Sequence, residues 1–211
     1  MRNTRTSVIR RAGVTVTAVA AALVLAACGN DSDSGSGSHR SSDSASSAAS
    51  SSAGAHNAQD VTFAQGMIPH HQQALEMAKL AAGRASSAKV KDLASRIEKA
   101  QDPEIQTMSG WLKGWGEDTD MSSSMPGMDH SSAGMAGMMD SKDMAELKKM
   151  SGKDFDTMFL TMMTEHHQGA VEMAKTEKAK GSYGPATSMA DDIVTAQTAE
   201  ITEMNKLLGK S

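Results

Sequence analysis

The sequence predicts an all-α fold, a four-helix bundle made from two copies of one helical hairpin. Three observations carry this prediction. A stretch from Asp60 to Leu112 recurs at a constant offset of 96 residues, with 20 of its 53 positions identical. A fixed internal period of this kind marks a duplicated structural unit. Within each copy the apolar residues fall at i, i+4 and i+7, the spacing of one helix face. No segment carries the two-residue alternation of a strand.

The elements follow in order. The first helix is expected to start at Asp60, a good N-cap residue, and to present Phe63, Met67, His70, Ala74 and Met77 on one face. Pro69 lies inside it, removes one backbone hydrogen bond and is expected to kink it. Gly83 and Ser86-Ser87 mark the turn. The second helix is expected from about Ser87 to Trp111, with Leu93, Ile97, Gln101, Glu104, Met108 and Trp111 or Leu112 inward. Residues 113–150 break the pattern with Gly, Ser and Met, apart from a short helix near Lys142–Lys149 capped by Ser141. The third helix is expected from about Ser151–Asp154 to Lys180, with Phe155, Phe159, Met163, His166, Ala170 and Met173 inward. After the Gly181–Pro185 turn, the fourth runs to about Leu208. Neither amphipathic hairpin can bury its apolar face alone, so the two are expected to dock as one bundle over residues 59–210. Repeat 1 spans about 60–112 and repeat 2 about 151–208.

The N-terminal quarter reads differently. Arg2, Arg5, Arg10 and Arg11 precede a small apolar run to Ala27, shorter than the ~20 residues a bilayer span needs. Leu25-Ala26-Ala27-Cys28 resembles a bacterial lipobox. Residues 1–27 are therefore expected to be a lipoprotein signal peptide and Cys28 the lipidation site, with an uncleaved short anchor as the alternative. Residues 28–58 are Ser, Gly, Ala and Asp with almost nothing to bury, and are expected to form a disordered tether. Cys28 is the only cysteine, which excludes an intrachain disulfide and a thiolate cluster. Loss of four arginines with the leader takes the formal charge from -4 to -8. Such an acidic chain is not expected to bind nucleic acid. Its expected place is extracytoplasmic, held to the membrane by lipid.

The chemistry lies in the repeat. Met67, His70, His71 and Met77 recur as Met163, His166, His167 and Met173. Thioether is a soft ligand and imidazole a borderline one, a combination that favours copper over Mg, Ca or Mn. Gln101, Glu104, Gln197 and Glu200 are the remaining inward polar groups. They either orient the histidines through imidazole N–H bonds or ligate directly. The loop residues Met121, Met125, Met128, His130, Met135, Met138 and Met139 lie in a stretch too polar and Gly-rich to make a core. They read either as a weaker Cu(I)-binding set or as a low-complexity linker. No Glu-x-x-His stands at the repeated motif, which disfavours a di-iron oxidase, and no catalytic residues are predicted.

The motif Met67-x-x-His70-His71-x-x-Ala74-x-x-Met77-Ala78 and its copy resemble the DUF305 family. The resemblance implies a ferritin-like helical bundle of an exported bacterial protein, with copper binding and resistance in some members. The expected role is thus a copper buffer, scavenger or chaperone acting with other copper-handling proteins. The alternative is a metal-free interaction module in which a buried His/Glu network holds the repeats in register.

Overall fold

The computed structural model describes residues 55–119 and 135–210. Among them are five helices: α1 (Ala58–Arg84), α2 (Ala88–Trp115), α3 (Ser141–Leu147), α4 (Gly152–Lys180) and α5 (Gly184–Leu207). α1 with α2 and α4 with α5 form the two hairpins of a four-helix bundle, and α3 lies in the connection between them. Residues 1–54 lie outside the described part, and with them the leader, Cys28 and most of the tether. So do Met121, Met125, Met128 and His130.

Two helix caps differ from the expected ones. Asn57, not Asp60, caps α1: its side chain accepts from the N–H groups of Gln59 and Asp60, and the Asn57 N–H donates to Asp60. This is a reciprocal capping box with Asp60 in its third position. Asp140, not Ser141, caps α3. α2 runs on to Trp115, because Trp111–Trp115 still packs on Tyr183. α1 continues through Pro69 as one helix.

Asp60 has a further task that explains its recurrence. Its carboxylate accepts from the backbone N–H groups of Ser182 and Tyr183 and from the Ser182 hydroxyl, in the turn of the second hairpin. Asp156 accepts in the same way from Ser86 and Ser87, in the turn of the first. The start of α1 therefore meets the end of α4, and the start of α4 meets the end of α1. The two helices are antiparallel across a pseudo-twofold axis, and they make the main seam between the hairpins. α2 and α5 meet more sparsely, with the Arg96–Glu203 ion pair at 2.8 Å between them.

The interior has two apolar halves. One contains Met77, Leu93, Ile97, Phe155, Phe159, Met163 and Met204. The other contains Phe63, Met67, Met108, Leu112, Ala170 and Ile193. Along every long helix the residues between these halves are polar: His70 and His71, Gln101 and Glu104, His166 and His167, Gln197 and Glu200. A polar layer thus crosses the middle of the bundle.

Candidate metal centre

The layer is closed to solvent at its centre. His70, His71, His166 and His167 are all 0% exposed, and Gln101 and Gln197 are 3% exposed. The paired positions are not equivalent in role. His71 donates from Nε2 to the Glu104 carboxylate at 2.7 Å, and His167 donates to Glu200 at 2.7 Å. Each bond joins the two helices of one hairpin. The glutamates reach the layer from its rim, with side chains 24% and 15% exposed. The glutamates, rather than the glutamines, orient the imidazoles.

His70 and His166 instead face each other across the α1–α4 seam, with ring centroids 3.8 Å apart and planes tilted by 40°. Burial, and then the neighbouring His71, push the His70 imidazole down to about 3. Burial, and then His70, hold His166 well below the usual histidine range. Both rings are therefore neutral near pH 7, since two adjacent buried imidazolium ions would be desolvated and mutually repelling. Nε2–H of His70 donates to the Ala136 carbonyl at 3.2 Å, which leaves Nδ1 as a bare lone pair.

The layer is rich in unpartnered groups. Among the described residues, Nδ1 of all four histidines, Nε2 of His166, and Oε1 of Gln101 and Gln197 lack a hydrogen-bond partner. A buried unmatched polar group costs about 1–3 kcal/mol, so this many in one layer fits a place for a cation. Among the described residues no three His, Cys, Asp or Glu side chains stand in position to hold one metal ion together. Imidazole and carboxylate alone therefore do not complete a site. Met67 and Met163, one turn from His70 and His166 and 0% exposed, are the nearest soft donors along the chain. Met77 is buried two turns away among apolar side chains, and Met173 is half-buried.

One segment of the Met-rich loop closes the seam. Residues 135–139 form a strap beside His70 and His166. Gln73 grips it by two hydrogen bonds, Nε2 to the Met139 carbonyl at 2.9 Å and Oε1 from the Met139 N–H at 2.8 Å. On the other side the strap lies directly on α4. A Cβ at Gly169 would stand 1.9 Å from the Ala136 oxygen, and one at Gly137 (φ 79°) 2.6 Å from the Glu165 oxygen. Only glycine permits that approach. Met139 is 7% exposed and belongs to the apolar core, whereas Met135 and Met138 are half-buried. The reading of all the loop methionines as too polar in context to form a core is thus corrected at Met139, which the Gln73 grip folds inward. Sequence reasoning also missed the strap itself, because its contact with His70 is a backbone carbonyl. The signal available was the break in identity at Gln73 and Gly169, which occupy the same position in the two repeats.

Comparison with known proteins agrees with this fold. The chain matches the family described as a domain of unknown function, DUF305, over residues 60–208. It is 35% identical to a DUF305 protein from Streptomyces coelicolor, covering 72% of this chain and 93% of that one, with a TM-score of 0.65. A DUF305 fragment from Deinococcus radiodurans is 30% identical, covering 74% and 98%, with a TM-score of 0.64. CopM in its Cu(II)-bound form is 33% identical, covering 71% and 95%, with a TM-score of 0.60. CopM has also been solved in a Cu(I)-bound form, 31% identical with a TM-score of 0.58. A search of curated proteins found no match. The match spans both repeats and the relatives cover most of the bundle, so the chain belongs to the DUF305 family.

Proposed function

We propose that this protein is an extracytoplasmic copper-binding protein, which buffers or carries copper at the cell surface. The observation that carries the reading is the buried polar layer, where neutral His70 and His166 face each other with unpartnered ring nitrogens. A purely structural network would be expected to satisfy those atoms. His70 and His166 would hold the ion, with Met67 or Met163 supplying thioether. His71–Glu104 and His167–Glu200 would fix the helices around it. The solved copper-bound forms of CopM support the choice of metal. The leader-like N-terminus and the likeness to a Streptomyces protein described as a candidate secreted protein support an exported, lipid-anchored location. No helix among the described residues is long and apolar enough to cross a membrane.

The test is copper titration of the full chain against a chelator of known affinity. His70→Ala with His166→Ala should abolish the tightest equivalent. Glu104→Gln with Glu200→Gln should weaken it by a smaller factor, because these carboxylates hold His71 and His167 rather than the histidines that face each other. The satisfied His71–Glu104 and His167–Glu200 bonds favour a second reading, in which the layer only sets helix register. That reading takes over if the His70/His166 double variant binds copper as wild type does.

A further inference from the structure

Among the described residues most methionines near the histidines are sealed in the core, but two half-buried thioethers meet at one glycine. Gly66 lies one turn before His70 on α1, where the second repeat has the bulky Met162. A methyl added at Gly66 would meet Met173 Sδ at 3.7 Å and Met135 Sδ at 3.9 Å. The two sulfurs therefore border the same small space, one carried by α4 and the other by the strap. Both side chains are half-buried, whereas Met67, Met77 and Met163 are 0% exposed. The strap also borders an open groove lined by Met138, Glu165 and Glu172, whose acidic residues favour cations locally.

We propose that Met135 and Met173 form a second, thioether-only site for a soft monovalent cation of the Cu(I) or Ag(I) class, at the Gly66 notch. Two sulfurs suffice for such an ion, which accepts low coordination numbers and prefers soft donors. Thioether binds without releasing a proton, so the site works over a wide pH range. Both donors are half-buried and the site is one helical turn from His70, which puts it between the surface and the closed layer. Assignment to copper rests on the function proposed above, whereas the site's existence does not.

The test uses the full chain with Cys28→Ser, to remove the thiol, and methionine labelled at the ε-methyl carbon. Silver(I) is the probe, because it is soft and redox-inert. Addition of silver should shift the Met135 and Met173 methyl resonances together. Met135→Leu should abolish the Met173 shift, Met173→Leu should abolish the Met135 shift, and each should lower the stoichiometry by one. Neither change threatens folding, since Leu for Met conserves volume at a half-buried position. Both shifts should survive in the His70→Ala/His166→Ala variant. The proposal is overturned if Met173 responds normally in Met135→Leu. It is equally overturned if a folded double-histidine variant loses both shifts, because the sulfurs would then belong to the histidine site. Intact methionine shifts with histidine ring resonances that never move would leave this site standing and remove the histidine centre.

Discussion

The two repeats are the same hairpin put to unequal use. What they share is architectural: Asp60 and Asp156 tie down the opposite turn, His71 and His167 bond their own glutamates, and His70 and His166 meet at the axis. What differs lies on one edge of the seam and at one end. Gln73 holds the strap where Gly169 makes room for it. Gly66 opens a notch where Met162 fills one. Glu177 is buried where its counterpart Ala81 is also buried. Two-fold symmetry thus builds the central layer, and its local loss lets a single loop segment cover a pair of facing histidines.

The largest effect is expected from breaking the shared part. Asp156→Ala strips the Ser86 N–H, the Ser87 N–H and the Ser86 hydroxyl of their acceptor. Hydrogen bonds to a charged group contribute about 1.5–3 kcal/mol each and are not additive, so a loss of about 3 kcal/mol is expected in denaturant unfolding. Asp60→Ala removes the same bonds in the other turn and, in addition, the Asn57 N–H bond of the capping box and the charged neighbour of the protonated Glu177. It should therefore cost more. Equal losses would mean that the Glu177 end is not special.

Much of the fold was readable because the duplication repeats its own evidence. The inward faces Phe63-Met67-His70-Ala74-Met77 and Phe155-Phe159-Met163-His166-Ala170 are buried as the spacing predicts, whereas Met173, expected on the second face, is only half-buried. The duplicated Gln/Glu pair pointed to the polar layer, since only a tertiary demand keeps those groups inward. The part that was not readable is the part made by long-range contact. Asp60 looks like a helix cap because capping is local, yet its recurrence reflects a bond 122 residues away to Ser182. The strap is held by backbone atoms of Ala136 and Met139, which have no side-chain signature. The division of labour between His70 and His71 depends on about 100° of helix rotation, which decides whether an imidazole meets its hairpin partner or the axis.

The next test concerns the end where the repeats differ in charge. Burial, then the neighbouring Asp60, push the Glu177 carboxyl up to about 8. Burial works against ionised Asp60, but the Glu177 carboxyl and the N–H groups of Asn57, Tyr183 and Ser182 outweigh it and hold it below the usual range. The pair therefore keeps a proton on Glu177 and a charge on Asp60. A raised carboxyl favours the protonated fold, so its stabilising contribution is complete below about 4.5 and is lost as pH rises towards 8. The slope cannot exceed ~1.4 kcal/mol per pH unit for one proton. Glu177→Ala copies the first repeat's Ala81 and should flatten the stability profile between these limits, as read by chemical unfolding at several pH values. A profile unchanged by Glu177→Ala would refute the assignment of that proton.

The smallest expected effect is the most local. Gln73→Ala removes both bonds to the Met139 backbone but leaves Gly169, and hence the room for the strap, untouched. Each bond contributes about 0.5–1.5 kcal/mol, so the strap should open more often by roughly that sum while global stability moves little. The measurement is amide hydrogen exchange, which resolves local opening from global unfolding. Protection at the Met139 N–H should fall, and protection along α1 and α4 should hold. The consequence reaches the histidine pair, because Ala136 rides on the same strap and accepts from His70 Nε2. Freed of that acceptor, His70 can exchange which ring nitrogen carries the proton, and its side-chain resonances should show it. If Met139 stays protected in Gln73→Ala, the strap is held by its packing on Gly169 and by the burial of Met139. The asymmetry between the repeats would then reside in the glycine alone.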